Sequence, residues 1–257
     1  MSKLPKGHEF IDLSDYGRSM ARFIAYHLRN TALSPLHITL AFIISGLLAI
    51  ICMIKGFYLA TAIFLIIKSV LDAADGELAR VKNIPSYTGR YFDSIADIVL
   101  NMLIFIVLGH ITDTDYPLIA LGFIGIQLQG TLYNYYYVIL RNRYDGDTTS
   151  RIFEINTPKA MPGERQKNVD ILFWWYQLLY GIFDRIIYRL DPNASVNGRF
   201  PNWLMTAVST FGLGFQLLII GSMLVLGLAD YIIPFFIYYS IFIFIFIGVR
   251  RVLSTEN

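Results

Sequence analysis

Long apolar stretches separated by short polar turns dominate the pattern of this 257-residue chain. A helix needs ~20 mostly apolar residues to cross the hydrocarbon layer of a membrane. The pattern therefore predicts an all-α integral membrane protein, and we treat residues 1–257 as a single membrane domain. Six transmembrane helices are expected, near residues 36–54, 57–80, 90–111, 116–140, 202–228 and 231–249.

The distribution of charge around these stretches predicts their orientation. If the N-terminus is inside, Lys55 is the only basic residue in an external turn, and Lys68 lies within the second span. The external turns carry acidic residues instead, among them Asp113 and Asp230. Because cytoplasmic loops collect Lys and Arg, we expect a multi-pass protein with both termini and the polar connector 142–170 in the cytoplasm.

Residues 171–190 are apolar enough to be a seventh span. As a span, however, they would place Arg250 and Arg251 outside, and they contain Asp184 and Arg185, which favour water. Tryptophan and tyrosine side chains in the same stretch favour the headgroup level. We therefore interpret residues 171–190 as an interfacial helix.

A second amphipathic pattern precedes the first span. Met20, Phe23 and Leu28 recur at helical spacing, opposite Arg18 and Arg22. The pattern predicts an N-terminal amphipathic helix lying on an anionic cytoplasmic leaflet. An ordinary amphipathic helix packed on the protein itself is the alternative.

Composition narrows the possible functions. The chain is 55% hydrophobic and only 16% charged, whereas soluble domains are about 25% charged. The net charge of +2 gives no reason to expect a nucleic-acid partner. The single cysteine, Cys52, excludes a disulfide framework and a metal site built from cysteine and histidine.

Four aspartates are the strongest candidates for chemistry. Asp72 and Asp75 are three residues apart, and Asp93 and Asp97 are four apart, so each pair shares one face of a helix. The two helices are antiparallel and joined by a short link, which brings the pairs to one level. Four carboxylates in a low dielectric require compensating charge. Oxygen-only ligands suit Mg²⁺ or Mn²⁺, and paired metals are used for displacement at phosphorus, so we predict two divalent cations.

Small residues and one arginine surround these aspartates. Gly76, Ala79 and Gly89 leave room for a nucleotide to approach closely, and Arg80 is placed to meet a phosphate. Taken singly, each has an ordinary explanation, since membrane glycines often serve helix packing and an arginine can anchor a helix at the membrane edge. Their spacing relative to the aspartates favours a binding site.

Together these residues resemble the complete signature of the CDP-alcohol phosphotransferases. Every fixed position of that signature is present, as Asp72-x₂-Asp75-Gly76-x₂-Ala79-Arg80-x₈-Gly89-x₃-Asp93-x₃-Asp97. Many members also begin the first span with Pro-Asn-x-x-Thr; Pro35 and Thr39 match here, but Leu36 replaces the asparagine. Neither the phosphatidylglycerophosphate synthase pattern nor the phosphatidylserine synthase pattern fits around Asp97, so no subfamily is assigned.

The resemblance implies a six-span fold, usually a homodimer, with an active site that opens to the cytoplasm. It implies that Asp72, Asp75 and Asp93 bind the metals, and that Asp97 is the general base and a further metal contact. The residues that it implies for the nucleotide site are Gly76, Ala79, Arg80 and Gly89, to which we add Thr39.

Other polar residues lie within the spans. An unpaired charge at Lys68 would be costly, so we expect it to pair with one of the aspartates rather than to bind substrate. Gln127, Gln129 and Asn134 are expected to bond to neighbouring helices, with Asn134 also a candidate for the acceptor pocket. Arg141 and Arg143 serve topology first, and are secondary candidates for contacts with lipid or acceptor phosphate.

We predict a phospholipid-synthesis enzyme that releases CMP as an acceptor hydroxyl attacks the β-phosphorus of a CDP-linked donor. CDP-diacylglycerol is favoured because a site at the membrane edge lets the acyl chains stay in the bilayer while a small polar alcohol arrives from the cytoplasm. CDP-choline or CDP-ethanolamine acting on diacylglycerol is the alternative. A small ion-coupled transporter is the alternative from another class, although transporter sites usually lie near the bilayer midplane.

Overall fold

The computed structural model describes residues 4, 7, 9–144 and 156–255. Within these ranges the chain is helical and contains no strand. Short 3₁₀ turns lie at Leu13–Asp15, Ser209–Phe211 and Ala229–Tyr231. The α-helices are α1 (Arg18–Leu28), α2 (Pro35–Ile54), α3 (Tyr58–Lys82), α4 (Tyr87–Ile111), α5 (Tyr116–Arg143), α6 (Gln166–Leu179), α7 (Gly181–Leu190), α8 (Ala194–Asn197), α9 (Asn202–Val208), α10 (Leu213–Val225), α11 (Ile232–Tyr239) and α12 (Ile241–Thr255).

Three helical segments of the described chain are long and apolar enough to cross a membrane: α2, α4 and Ala229–Thr255. A fourth candidate is the pair Asn202–Phe211 and Leu213–Val225, which qualifies only if the two are taken as one span bent by 54°. Helices α3 and α5 coincide with the second and fourth predicted spans but do not qualify, because polar side chains interrupt their apolar sequence. The count of six spans therefore stays a prediction.

Local signals set the ends of the helices that carry the aspartates. Asn83 ends α3 in the left-handed conformation (φ 53°), which asparagine tolerates better than most residues. Ser86 caps α4 by accepting a hydrogen bond from the backbone N–H of Gly89. The link between the two helices is therefore only a few residues long, and it turns α4 back alongside α3.

The main apolar core lies between α2, α3, α4, α5, α10 and α11. Its fully buried side chains include Phe42, Leu65, Phe105 and Phe236. A second core joins the C-terminal half of α5, which is predicted to lie toward the cytoplasm, to α7, α8, α9 and α12. Polar bonds also link the helices: Gln129 donates to the carbonyl of Phe236 and to Ser240 Oγ. The expected bonding of Gln129 to a neighbouring helix is thus confirmed.

The N-terminal turn Leu13–Asp15 packs into the break between α9 and α10. Gly214 makes this possible, since a Cβ atom there would lie 2.0 Å from the carbonyl oxygen of Ser14. The backbone N–H of Leu13 also donates to Ser209 Oγ, 2.9 Å away. This segment therefore fills the bend rather than lying only on the outside of the molecule.

The two amphipathic segments differ in detail from what their sequence patterns predicted. Helix α1 packs on α3 through the fully buried Ala21 and Ala25, while Met20 and Phe23 on its other side stay exposed. The stretch expected to be one helix near 171–190 is two helices, α6 and α7, which meet at Tyr180. The membrane-surface placement of these elements stays a prediction.

Candidate active site

Three of the four predicted aspartates converge between α3 and α4. Asp72, Asp75 and Asp93 each offer a carboxylate oxygen, and these oxygens lie within 4.8 Å of one another. Oδ1 of Asp93 is buried and has no hydrogen-bond donor among the residues that the structure describes. A buried carboxylate oxygen without a donor is costly unless another group compensates it. The three side chains therefore fit a hard divalent cation such as Mg²⁺ or Mn²⁺.

Asp75 is fixed from the first predicted span. The hydroxyl of Thr39 on α2 donates to Asp75 Oδ2 at 2.8 Å, and only 2% of Thr39 is exposed. Thr39 was a candidate for the nucleotide site, and its observed contact is with the aspartate.

Asp97 stands apart from the other three aspartates. Its Oδ1 accepts a 2.5 Å hydrogen bond from Nζ of Lys68. The side chain of Lys68 is completely buried and lies on α3, one turn before Asp72. The expected pairing of Lys68 with an aspartate is therefore confirmed. The ammonium compensates the charge of Asp97, which lies outside the group of three converging carboxylates.

A cavity of about 270 Å³ opens beside the three aspartates. It is enclosed by the N-terminal turn and by α1, α3, α4, α5 and α10. Predicted site residues that line it, besides the three aspartates, are Gly76, Arg80, Asn134 and Arg141. The cavity thus brings two arginines and an amide next to the carboxylates, an arrangement suited to a phosphate-containing ligand held by metal and cationic groups.

The remaining predicted residues lie elsewhere. Gly89 is in the first turn of α4, where its N–H donates to Ser86 Oγ at 2.8 Å. Ala79 lies on α3, one residue before Arg80, and is not among the residues that line the cavity. Arg143 donates to the carbonyl oxygen of Gly198 at 2.5 Å and also lies outside the lining.

Sequence reasoning missed the N-terminal contribution to this cavity. Asp12, Asp15 and Arg18 line it, together with Tyr133 and Tyr137 of α5. Asp12 Oδ2 accepts a 2.5 Å hydrogen bond from the hydroxyl of Tyr133. Nothing in the local pattern points to this contact, because its partners are far apart in the chain and the segment reads as the start of a surface helix.

Arg18 and Arg80 meet at a buried carboxylate below the cavity. Glu77 is only 3% exposed, and its Oε1 lies 3.1 Å from Arg80 Nη2 and 3.5 Å from Arg18 Nη1. Arg18 also pairs with Asp15. Arg22 Nε lies 3.8 Å from the same oxygen, so the one carboxylate of Glu77 orients three guanidinium groups.

Residues 32–153 match the family model of CDP-alcohol phosphatidyltransferases. Comparison with curated proteins and with solved structures gave no match. The matched region contains the four aspartates, Arg80 and Arg141, and it is a CDP-alcohol phosphatidyltransferase domain. The family resemblance is thus confirmed, and it indicates transfer of a phosphoalcohol group from a CDP-linked donor, usually with a divalent metal.

Proposed function

We propose that this protein transfers a phosphatidyl group from CDP-diacylglycerol to a small polar alcohol and releases CMP. One observation carries the proposal: Asp72, Asp75 and Asp93 converge within 4.8 Å beside a cavity that also contains Arg80 and Arg141. Carboxylates that can hold a cation, together with guanidinium groups, are the chemistry that a pyrophosphate needs. The family match over the same residues supports this assignment.

The three converging aspartates are proposed to hold two divalent cations, Mg²⁺ or Mn²⁺, with Asp97 as a further contact to one of them. When bound, the cations neutralise charge on the donor pyrophosphate. Thr39 fixes Asp75 for this task through its 2.8 Å hydrogen bond. In this view Thr39 supports the nucleotide site through the aspartate that it orients.

Asp97 is proposed to take the proton of the attacking hydroxyl. Lys68 occupies Oδ1 of Asp97, which leaves Oδ2 for the proton. The acceptor oxygen forms a bond to the phosphorus that bears diacylglycerol, and the bond from that phosphorus to the bridging oxygen breaks. CMP leaves with the bridging oxygen and its electron pair. Nothing is oxidised or reduced.

The rest of the cavity is proposed to bind the two substrates. Arg80, held by Glu77 at 3.1 Å, meets a phosphate of CDP, and a Cβ atom at Gly76 would lie 3.7 Å from its guanidinium nitrogens. Ala79 and Gly89 complete the nucleotide site. Asn134 and Arg141, on the opposite wall, face the acceptor, with Arg143 as an outer contact for lipid or acceptor phosphate.

The membrane architecture completes the proposal. We infer six spans, with α3 and α5 as spans that carry polar residues for function, and α1, α6 and α7 at the membrane surface. Lys and Arg distribution supports cytoplasmic termini and a cytoplasmic active site. Residues 1–257 then form a single membrane domain that, as in the family, works as a homodimer.

The release of radiolabelled CMP by purified protein tests which CDP-linked donor the enzyme uses. CDP-diacylglycerol is offered with inositol, inositol phosphate, serine or glycerol phosphate, and CDP-choline or CDP-ethanolamine is offered with diacylglycerol. We expect turnover only in the first set, dependent on Mg²⁺ or Mn²⁺, and none from Asp75→Asn. Turnover only with CDP-choline or CDP-ethanolamine would show that the assigned donor is wrong, whereas the proposed chemistry of the aspartates would still hold.

A separate binding measurement tests the reaction class. Well-folded protein should bind CDP in the presence of Mn²⁺ and lose that binding in EDTA. If it bound neither CDP nor CMP under any metal condition, the transferase assignment would fail and the ion-coupled transporter would become the better explanation of the acidic cluster.

A further inference from the structure

The polar connector that follows α5 places one carboxylate at the start of α4. Oε1 of Glu164 accepts hydrogen bonds from Ser86 Oγ and from the backbone N–H of Thr88, both at 2.7 Å. Oε2 accepts from the backbone N–H groups of Met161 at 3.0 Å and Tyr87 at 3.3 Å. Both oxygens of this side chain are therefore engaged, and three of their four donors belong to the N-cap and first turn of α4.

The N–H groups at the start of a helix have no partner within the helix. The carboxylate of Glu164 accepts hydrogen bonds from two of these N–H groups, those of Tyr87 and Thr88. Its negative charge is also favourable at the positive end of the α4 dipole. Partial burial acts to raise the pKa of Glu164, but the hydrogen bonds from Ser86 and Thr88 outweigh it and lower the pKa below its ordinary value. The charged form of Glu164 is thus the one that this site favours.

Apolar contacts hold the same two segments together. Tyr91 of α4 is completely buried, and it packs with Val169 and Phe173 of α6. Its ring centroid lies 5.6 Å from that of Phe173 and 5.2 Å from that of Tyr176. Helix α6 follows directly after Glu164, so the carboxylate is anchored close to the helix that it caps.

A short relay connects Glu164 to Gly89. Ser86 Oγ donates to Glu164 and accepts from the N–H of Gly89 at 2.8 Å. Since one hydroxyl makes both bonds, the position of Gly89 depends on the carboxylate. Space at Gly89 is also limited, because an added Cβ would lie 3.2 Å from Ser86 Oγ.

We propose that Glu164 is a positioning residue for the nucleotide of the donor, acting through Ser86 to fix the first turn of α4 and Gly89. This inference rests on the proposed function, in which Gly89 belongs to the CDP site. It assigns a task to the connector: a segment outside the aspartate motif sets the geometry of one end of that motif.

Glu164→Gln tests the proposal in the full-length protein, because glutamine keeps the size of the side chain and removes its charge. Asp170→Asn is the matched control, since Asp170 lies on α6 and accepts from Gln166 of the same helix. The measurements are the affinity for CDP with Mn²⁺, the KM for the CDP-linked donor, kcat, and amide hydrogen exchange of residues 86–90.

A hydrogen bond to a charged group contributes more than a neutral one, so we expect Glu164→Gln to weaken CDP binding and raise the donor KM by about tenfold. Because the reacting groups are untouched, kcat should stay within about twofold, which a global loss of structure would not allow. Exchange of residues 86–90 should accelerate in Glu164→Gln and stay unchanged in Asp170→Asn.

Ser86→Ala provides a second route if Glu164→Gln does not fold. It breaks the relay at its middle and should raise the donor KM in the same way. In the double variant the effects should not add, because both substitutions interrupt one relay. Wild-type affinity for CDP in both single variants, with faster exchange at 86–90, would overturn the proposal. Absence of CDP binding by the wild-type protein would instead overturn the proposed function itself.

Discussion

Replacing Lys68 with methionine is the sharpest test of how the acidic cluster is divided. Lys68 is completely buried, and its Nζ lies 2.5 Å from Asp97 Oδ1. Methionine keeps most of the apolar stem of lysine and removes the charge. Asp97, whose side chain is only 12% exposed, would then be a nearly buried carboxylate without its partner.

Breaking a buried ion pair by removing one partner typically costs about 3–5 kcal/mol. The low end applies here, because Asp97 keeps some exposure through which water can solvate it. For a chain of this size a loss of about 3 kcal/mol lowers Tm by roughly 6–12 °C. The double variant Lys68→Met/Asp97→Asn removes both charges, so it should regain most of this loss.

The assay is thermal unfolding of purified protein in detergent with EDTA, which keeps bound metal from masking the effect. Lys55→Met is the control, since Lys55 is exposed in the turn between α2 and α3. We expect the control to match wild type. Wild-type stability in Lys68→Met, or a double variant no more stable than the single one, would refute the idea that this pair is held by charge.

Five further outcomes are expected. Asp75→Asn should abolish CMP release and weaken Mn²⁺ binding, whereas Asp97→Asn should mainly lower kcat, by about 10²–10⁴-fold, as for loss of a general base. Near wild-type turnover in Asp97→Asn with metal bound would exclude that role. Thr39→Val should weaken Mn²⁺ binding, measured by titration, because Asp75 loses its 2.8 Å hydrogen bond. A cysteine at Asp113 should react with an impermeant reagent only from the external side, and cytoplasmic labelling would reverse the topology. The hydrogen bonds from Ser86 and Thr88 lower the pKa of Glu164 below its ordinary value, so the stability that they contribute is present above that ordinary value and is lost as the pH falls through the lowered one. Amide protection of residues 86–90 should therefore be constant between neutral and mildly acidic pH, and its loss in that range would contradict the lowered pKa.

Local patterns predicted most of the helices and the convergence of four aspartates, of which the structure brings three together. Helical periodicity placed Asp72 and Asp75 on one face of α3, and the short link ending at Ser86 made antiparallel packing with α4 unavoidable. The cost of an unpaired charge was enough to predict a partner for Lys68. Such inferences succeed because each depends on residues that are close in sequence or on a penalty that any fold must avoid.

Contacts between distant segments were not predictable in the same way. Asp12 with Tyr133, and Glu164 with the start of α4, join segments that carry no complementary pattern. The bend between α9 and α10, where Ser14 packs against Gly214, could not be predicted from the sequence either. A glycine in an apolar helix usually indicates only close packing. These features depend on how the helices assemble, which short-range periodicity does not encode.

The polar residues of α3 and α5 explain why these two helices are less apolar than a membrane span usually is. In α3 the interruptions include Lys68, Asp72 and Asp75, which form the ion pair and the proposed metal site. In α5, Asn134 and Arg141 line the cavity across from those aspartates. Charged and polar groups in a span are costly and are kept where they serve a function. The two helices that are less apolar than α2 and α4 are therefore the two whose polar residues meet at the cavity, and this common feature supports the proposed position of the active site.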